Sequence, residues 1–175
     1  MEKSVKSNAI SMGVMLGVIL SLITVIAYTV YQGMYTNWIA GIGLAIMIII
    51  FGIVSAVKSR KLLGGFIGFK EAFTSYFITV VIGTVISSTV SILIYVVVDP
   101  DAAAAINEQI IESSVGFMEK FGAPQAEIEK AVTKMEEENQ FGIGNQVKGW
   151  FYGMIFYIIV GLLACLAVKK KEPEY

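Results

Sequence analysis

Histidine is absent from this 175-residue chain, and cysteine occurs only once, at Cys165. Histidine is the commonest metal ligand and general base, so its absence removes the usual nucleophilic triads and most zinc sites. A single cysteine can form neither an internal disulfide nor a multi-cysteine metal site. Charged residues make up only 15% of the chain, against roughly 25% in soluble domains. We therefore expect no enzymatic activity, no cofactor and no metal.

Long apolar runs dominate what remains, since 56% of the residues are hydrophobic and the mean hydropathy is +0.74. A membrane-spanning helix needs about 20 mainly apolar residues. Four runs without Asp, Glu, Lys, Arg or Pro meet this length, at about residues 9–30, 39–57, 72–98 and 150–168. A soluble domain of this size could not cover four helices that are apolar all round. The sequence predicts an all-α integral membrane four-helix bundle, with residues 1–175 as a single domain.

The charges predict the orientation of the bundle. Basic residues gather at both ends of the chain and in the loop at 58–71, whereas the segment 99–147 has ten acidic residues and only three basic ones. Because cytoplasmic loops carry an excess of Lys and Arg, both termini should be cytoplasmic and the acidic segment extracytoplasmic. Lys3 and Lys6 precede the first run, whose length favours a retained span over a cleaved leader.

The third run stops at the sequence V-V-V-D-P-D-A-A-A-A, which begins at Val96. Asp99 is a favoured N-cap residue, Pro100 is favoured at the first helical position, and Asp101 would lie near the positive end of the helix dipole. The two carboxylates could instead hold a cation, but no neighbouring residue completes an oxygen cage. We predict a helix start rather than a metal site.

The acidic segment predicts an extracytoplasmic helical hairpin between spans three and four. One amphipathic helix should end near Phe121 and a second should run from Pro124 to about Asn139, joined through Gly122. Residues 141–145 should form a flexible link to span four, because two glycines weaken a helix there. The apolar stripe either packs within the protein or forms an interaction face. The candidate face is Ile106, Ile110, Phe117, Ile128, Val132 and Met135.

Small residues recur every four positions in two spans. Span one has Ala9, Gly13, Gly17 and Ser21, and span three has Thr79, Gly83, Ser87 and Ser91. Such stripes let membrane helices approach closely, and this is their commoner role. The alternative is a polar path along Thr79, Ser87 and Ser91. The spans contain no ionisable group or proline at depth, which counts against a secondary transporter.

Three local patterns resemble a known family. They are G-F-I-G-F-K-E-A-F at Gly65–Phe73, V-V-D-P-D at Val97–Asp101, and the acidic helical segment before span four. Together they resemble a bacterial family, frequent in Bacteroidota, that is catalogued as domain of unknown function 4199. The resemblance implies a four-span protein of the bacterial inner (plasma) membrane. It implies no activity, cofactor or catalytic residue.

The sequence thus predicts a non-enzymatic multi-pass membrane protein with a structural or interaction role through its outer hairpin. The alternative is a small oligomeric transporter or channel that uses the Ser/Thr face of span three. The expected partners are membrane lipid, a membrane or periplasmic protein, or further copies of the chain. The acidity of the hairpin argues against nucleic acid.

Overall fold

The chain folds into long helices, as a computed structural model that describes residues 2–30, 32–138 and 140–170 shows. Beyond Ile92 the third helix continues as a π-helical segment, Leu93–Val98, and a 3-10 turn follows the first helix at Gln32–Met34. An all-α membrane helical bundle is confirmed. Its helices are α1 (Glu2–Thr29), α2 (Trp38–Leu62), α3 (Phe69–Ile92), α4 (Pro100–Lys120), α5 (Gln125–Glu137) and α6 (Ile143–Val168).

Four of these helical stretches are long and apolar enough to cross a bilayer: Lys3–Thr29, Trp38–Leu62, Phe69–Val98 and Ile143–Val168. Each helix extends beyond the apolar stretch predicted for it, because polar residues at the ends of that stretch continue the helix. In each span, no more than 33% of the most hydrophobic stretch is buried inside the bundle. The remaining apolar surface needs a lipid environment, because water would not tolerate an exposed apolar surface of this extent.

The bundle is built around the pair α2 and α3. Both helices contact α1 and both contact α6, so α1 and α6 lie on opposite sides of the pair. The short connections at 30–37 and 63–68 make successive spans antiparallel. One end of the bundle, the termini end, therefore holds Glu2, the 63–68 loop and Lys170. The other, the insert end, holds α4 and α5.

The insert, which consists of α4, α5 and the turn between them, is a helical hairpin, as predicted. α4 ends at Lys120, and Gly122 follows with a φ of +71°, a left-handed conformation that favours glycine. The amide of Ala123 donates to the carbonyl of Met118 at 3.0 Å and closes the turn. α5 then packs back on α4 and buries Ile128.

The flexible link predicted at residues 141–145 is wrong. Ile143, Gly144 and Asn145 already belong to α6, and Phe141 is buried. The Gln146 side chain donates to the carbonyl of Phe141 at 2.7 Å, which fixes the chain just before the helix. A buried ring and this hydrogen bond outweigh the flexibility that two glycines would otherwise confer.

Candidate functional site: the helical insert and its anchor

Asp99 is the N-cap of α4, as the sequence predicts. One carboxylate oxygen accepts from the amide of Ala102 at 2.9 Å, and the other accepts from the Tyr28 hydroxyl at 2.8 Å. The hydrogen bond from Ala102, followed by that from Tyr28, holds the pKa of Asp99 below its usual range. Both oxygens are thus engaged within the protein. Among the described residues, no three Cys, Asp or Glu side chains are grouped to hold a metal ion.

Beneath the insert lies a cluster of four aromatic side chains, which we call the aromatic anchor: Tyr28, Tyr35, Tyr95 and Phe141. Tyr95 is at its centre, with its ring centroid 4.7 Å from that of Phe141 and its hydroxyl donating to Tyr35 at 2.9 Å. Tyr28 and Tyr35 meet the Tyr95 ring edge-on. Edge-on aromatic pairs each contribute about 0.5–1.5 kcal/mol beyond area burial.

The anchor connects three spans to the insert. Tyr28 belongs to α1, Tyr95 to the π-helical extension of α3, and Phe141 precedes α6. Ile106 of α4 is fully buried against this cluster. The anchor was not predicted from the sequence. Aromatic residues at span ends are expected at any membrane interface, so their positions alone do not reveal that they meet.

The candidate interaction face is divided by the fold. Ile106 is buried in the anchor and Ile128 is buried in the hairpin, while Ile110, Val132 and Met135 are half-buried. Phe117 alone among the six is exposed, at 63%. The stripe therefore serves mainly to hold the insert together, and only its distal end is open.

At this distal end, Phe117 and Phe121 form what we call the Phe tip. Their ring centroids are 4.6 Å apart, and Phe121 is 76% exposed. The pair lies at the hairpin turn, and α4 separates it from Asp99 by about 30 Å of helix at 1.5 Å per residue. Two large aromatic rings exposed side by side form an apolar spot on an otherwise acidic segment.

The predicted polar path falls in the seam between α1 and α3. Thr79 is buried there, and its hydroxyl lies 3.1 Å from the carbonyl oxygen of Ala9. Leu16 packs on Gly83, one turn further along α3, and so lies between Thr79 and Ser87. Ser87 and Ser91 are half-buried further toward the insert end. The structure brings Thr79, but not Ser87 or Ser91, into a polar cluster.

That cluster, which we call the hydroxyl network, joins α1, α2 and α3 through Asn8, Ser55, Ser59, Ser75 and Thr79. The Ser75 hydroxyl lies 2.9 Å from that of Ser55 and 2.8 Å from that of Ser59. Thr79 donates to Ser55 at 2.7 Å, and the Asn8 amide donates to Ser59 at 3.0 Å. Each hydroxyl has one proton and can accept two, so the row can satisfy itself without a ligand.

Four members of this network were not predicted from the sequence. Ser55 and Ser59 are four residues apart in α2, and Ser75 stands four residues before Thr79 in α3, so the pairing signal was present. Which faces would meet depends on how the spans pack.

Close packing of the small-residue stripes is confirmed. A Cβ atom on Gly13 would lie 2.8 Å from that of Ile82, and one on Gly17 would lie 2.7 Å from that of Ile86. Leu16 of α1 fills the space over Gly83 in return. Knobs from each helix thus enter glycine gaps on the other.

The Tyr76 ring is held between two further glycines. Gly52 of α2 and Gly161 of α6 lie against its two sides, and a Cβ on either would overlap the ring. Its hydroxyl donates to the carbonyl of Tyr157 at 3.0 Å. Tyr76 therefore joins α3 to α2 and α6 at once.

At the termini end, the chain after α6 pairs with the loop before α3. Ile67 and Lys170 exchange two backbone hydrogen bonds of 2.9 and 3.0 Å. Arg60 donates to the carbonyl of Val168 at 3.1 Å, at the end of α6 where a cation is favoured. The glycine-rich stretch before span three is thus a docking loop for the chain that follows α6.

Comparison with known proteins identifies a family and nothing further. The model of the family described as protein of unknown function DUF4199 matches residues 11–170. No curated protein matches the chain. No solved structure matches it either. With four spans, an anchored insert and a family match over most of its length, the chain belongs to the DUF4199 family of proteins of unknown function.

Proposed function

We propose that this protein is a non-enzymatic membrane protein whose insert binds another protein through the Phe tip. The observation that carries the proposal is the contrast within the insert. Its proximal apolar residues are buried, whereas Phe117 and Phe121 are exposed together at the turn. Aromatic side chains are enriched among the residues that dominate protein interfaces.

The charge of the insert favours a cationic partner. The segment 99–147 carries ten acidic and three basic side chains, so its field attracts positively charged surfaces. It disfavours anionic lipid headgroups for the same reason. The expected partner is a protein segment that presents an apolar side chain to the Phe tip and is flanked by Lys or Arg.

We place the insert on the extracytoplasmic side of a bacterial inner membrane, with both termini in the cytoplasm. The charge distribution along the sequence supports this orientation. In a Cys165→Ser background, Ser113→Cys in α4 should react with a membrane-impermeant thiol reagent in intact cells, whereas Lys61→Cys should react only after lysis. The reverse pattern would refute the orientation.

The residues present support no catalytic role. The chain has no histidine, and Cys165 is buried within span four. The hydroxyls of Ser55, Ser59, Ser75 and Thr79 hydrogen-bond to one another within the bundle.

Photo-crosslinking tests the proposal directly. A photoreactive phenylalanine analogue at Phe117 or Phe121 in native membranes should give one discrete adduct, and the same analogue at Thr133, exposed on α5, should not. Mass spectrometry should map the adduct to a Lys- or Arg-rich segment of a different protein. Its yield should fall as salt is raised, since the charge attraction is screened. Adducts to lipid, to a second copy or to no protein would refute the proposal.

The runner-up is a small oligomeric transporter or channel along the Ser/Thr face of span three. The polar hydroxyl network within the spans supports it, but Leu16 interrupts the face between Thr79 and Ser87. A Ser87→Leu and Ser91→Leu double variant separates the two roles. Loss of flux with intact assembly would favour a path, whereas loss of assembly would favour packing.

A further inference from the structure

An open groove separates α3 from α6 in the half of the bundle nearer the insert. It has a volume of about 160 Å³, and its walls include Val85 and Ile92 of α3 and Val147 and Trp150 of α6. Val85 and Val147 are 44% and 42% exposed. Both lie within the spans, so the groove opens onto the same surface that faces lipid.

Apart from Ser88, the polar side chains that line this groove are turned back onto the protein. The Thr89 hydroxyl donates to the carbonyl of Val85 at 2.8 Å. The indole nitrogen of Trp150 donates to Thr84 at 3.0 Å, and the Gln146 amide donates to the carbonyl of Phe141. The surface of the groove is therefore mainly hydrocarbon. A polar or charged ligand would find few free donors there.

The protein itself does not close this seam. Elsewhere the spans meet through glycine gaps filled by large side chains, as at Gly83 and Gly161. Between Val85 and Ile92 of α3 and Val147 and Trp150 of α6, by contrast, a groove of about 160 Å³ remains open. Close packing is the normal state of a helix seam, and an unfilled apolar space forfeits dispersion contacts on its walls.

We infer that the groove binds an acyl chain of a phospholipid from the bilayer leaflet on the insert side. The groove is continuous with the lipid-facing surface, so a chain can enter sideways without crossing a polar barrier. The occupant is apolar, as the walls require, and it restores the contacts that α3 and α6 do not make with each other. This inference is independent of the proposed partner of the Phe tip.

The two tryptophans of the chain allow a matched measurement. In Trp38→Phe, the remaining Trp150 reports from the groove. In Trp150→Phe, the remaining Trp38, which is 74% exposed at the start of α2, reports from the general lipid surface. Each variant is reconstituted into phosphatidylcholine vesicles that contain increasing fractions of phosphatidylcholine brominated on its acyl chains, which quenches nearby indole fluorescence.

Quenching of Trp150 should saturate and should reach half its limit at about a threefold lower brominated fraction than quenching of Trp38. The preference is modest because a bound chain exchanges lipid contacts for protein contacts. Adding Val85→Phe should fill the groove and abolish the difference. Val14→Phe is the matched control, since Val14 is also 44% exposed but lies on α1.

Equal, non-saturating quenching of the two tryptophans would overturn the inference. Occupation of the groove by a second copy of the protein would also overturn the inference. In that case Trp150 would be shielded from brominated lipid, and energy transfer between labelled copies would depend on the protein concentration. If Val85→Phe does not fold, the comparison between Trp150 and Trp38 still decides.

Discussion

Replacing Gly161 by Ala should destabilise the bundle, although the same replacement at Gly149 in the same helix should not. A Cβ on Gly161 would overlap the ring of Tyr76, with 2.6 Å to its Cδ1 atom. Comfortable carbon–carbon contacts are about 3.5–4.0 Å. The ring cannot retreat, because Gly52 of α2 already lies against its other side.

The magnitude follows from two opposing effects. Overpacking a filled site costs about 1–3 kcal/mol. Replacing a helix-interior glycine by alanine gains about 0.5–1 kcal/mol. At Gly161 the first effect exceeds the second, so we expect a net loss of about 1–2 kcal/mol. At Gly149 a Cβ meets no atom within 4 Å, so only the gain remains.

The assay is reversible unfolding of the purified protein in mixed micelles, with the denaturing detergent titrated and helix content followed by circular dichroism. The free energy of unfolding of Gly161→Ala should fall below that of the parent, and that of Gly149→Ala should equal or exceed it. Adding Tyr76→Leu should make the Gly161→Ala change nearly neutral, because the obstructing ring is gone. If Gly161→Ala were as stable as Gly149→Ala, the assignment of Tyr76 as a tightly held knob would be refuted.

Further predictions concern the hydroxyl network, the cap and the hairpin turn. Ser75→Ala removes the central hydroxyl of the network and should lower the free energy of unfolding by about 1–2 kcal/mol in the same titration. The control is Thr89→Val, which should be near neutral because the Thr89 hydroxyl bonds only to its own helix. Equal effects of the two changes would refute the network. The pKa of Asp99 is lowered by folding, so its contribution to stability is present above the unfolded pKa of about 4 and is lost as pH falls through the lower folded pKa. The protection factor of the Ala102 amide against hydrogen exchange should therefore fall only in acid, and Asp99→Asn should remove that acid step; a step near neutral pH would contradict this. Gly122→Ala forces a side chain into a φ of +71°, so it should cost about 1 kcal/mol and loosen the hairpin in hydrogen exchange, while unchanged protection would count against the turn geometry.

The features of the fold that depend on local chemistry could be predicted from the sequence. The capping role of Asp99 needs only the preference of a carboxylate for free helix amides, and the hairpin turn needs only a glycine after an amphipathic run. The seam of Gly13 and Gly17 follows from a spacing that places small residues on one helix face.

The features of the fold that depend on which helix faces meet could not be predicted from the sequence. Isolated serines within an apolar run have no preferred partner until the spans are arranged, so the contact of Ser75 with Ser55 and Ser59 required the structure. The burial of Ile106 and Ile128, and thus the reduction of the interaction face to its distal end, follows from the anchor and the hairpin fold. At Phe141 the burial of the ring determines the local structure, and the nearby glycines do not reveal that burial.

The aromatic anchor also orders events during synthesis of the protein. Tyr28, Tyr35 and Tyr95 are made before α4 and α5, but Phe141 is made after these two helices. The cluster can therefore be completed only once the insert has reached its side of the membrane and the chain leading into α6 has followed. Protection of the insert from protease should then appear only after the residues that precede α6 have been made, so a completed anchor is a structural record that the first three spans and the insert are in place.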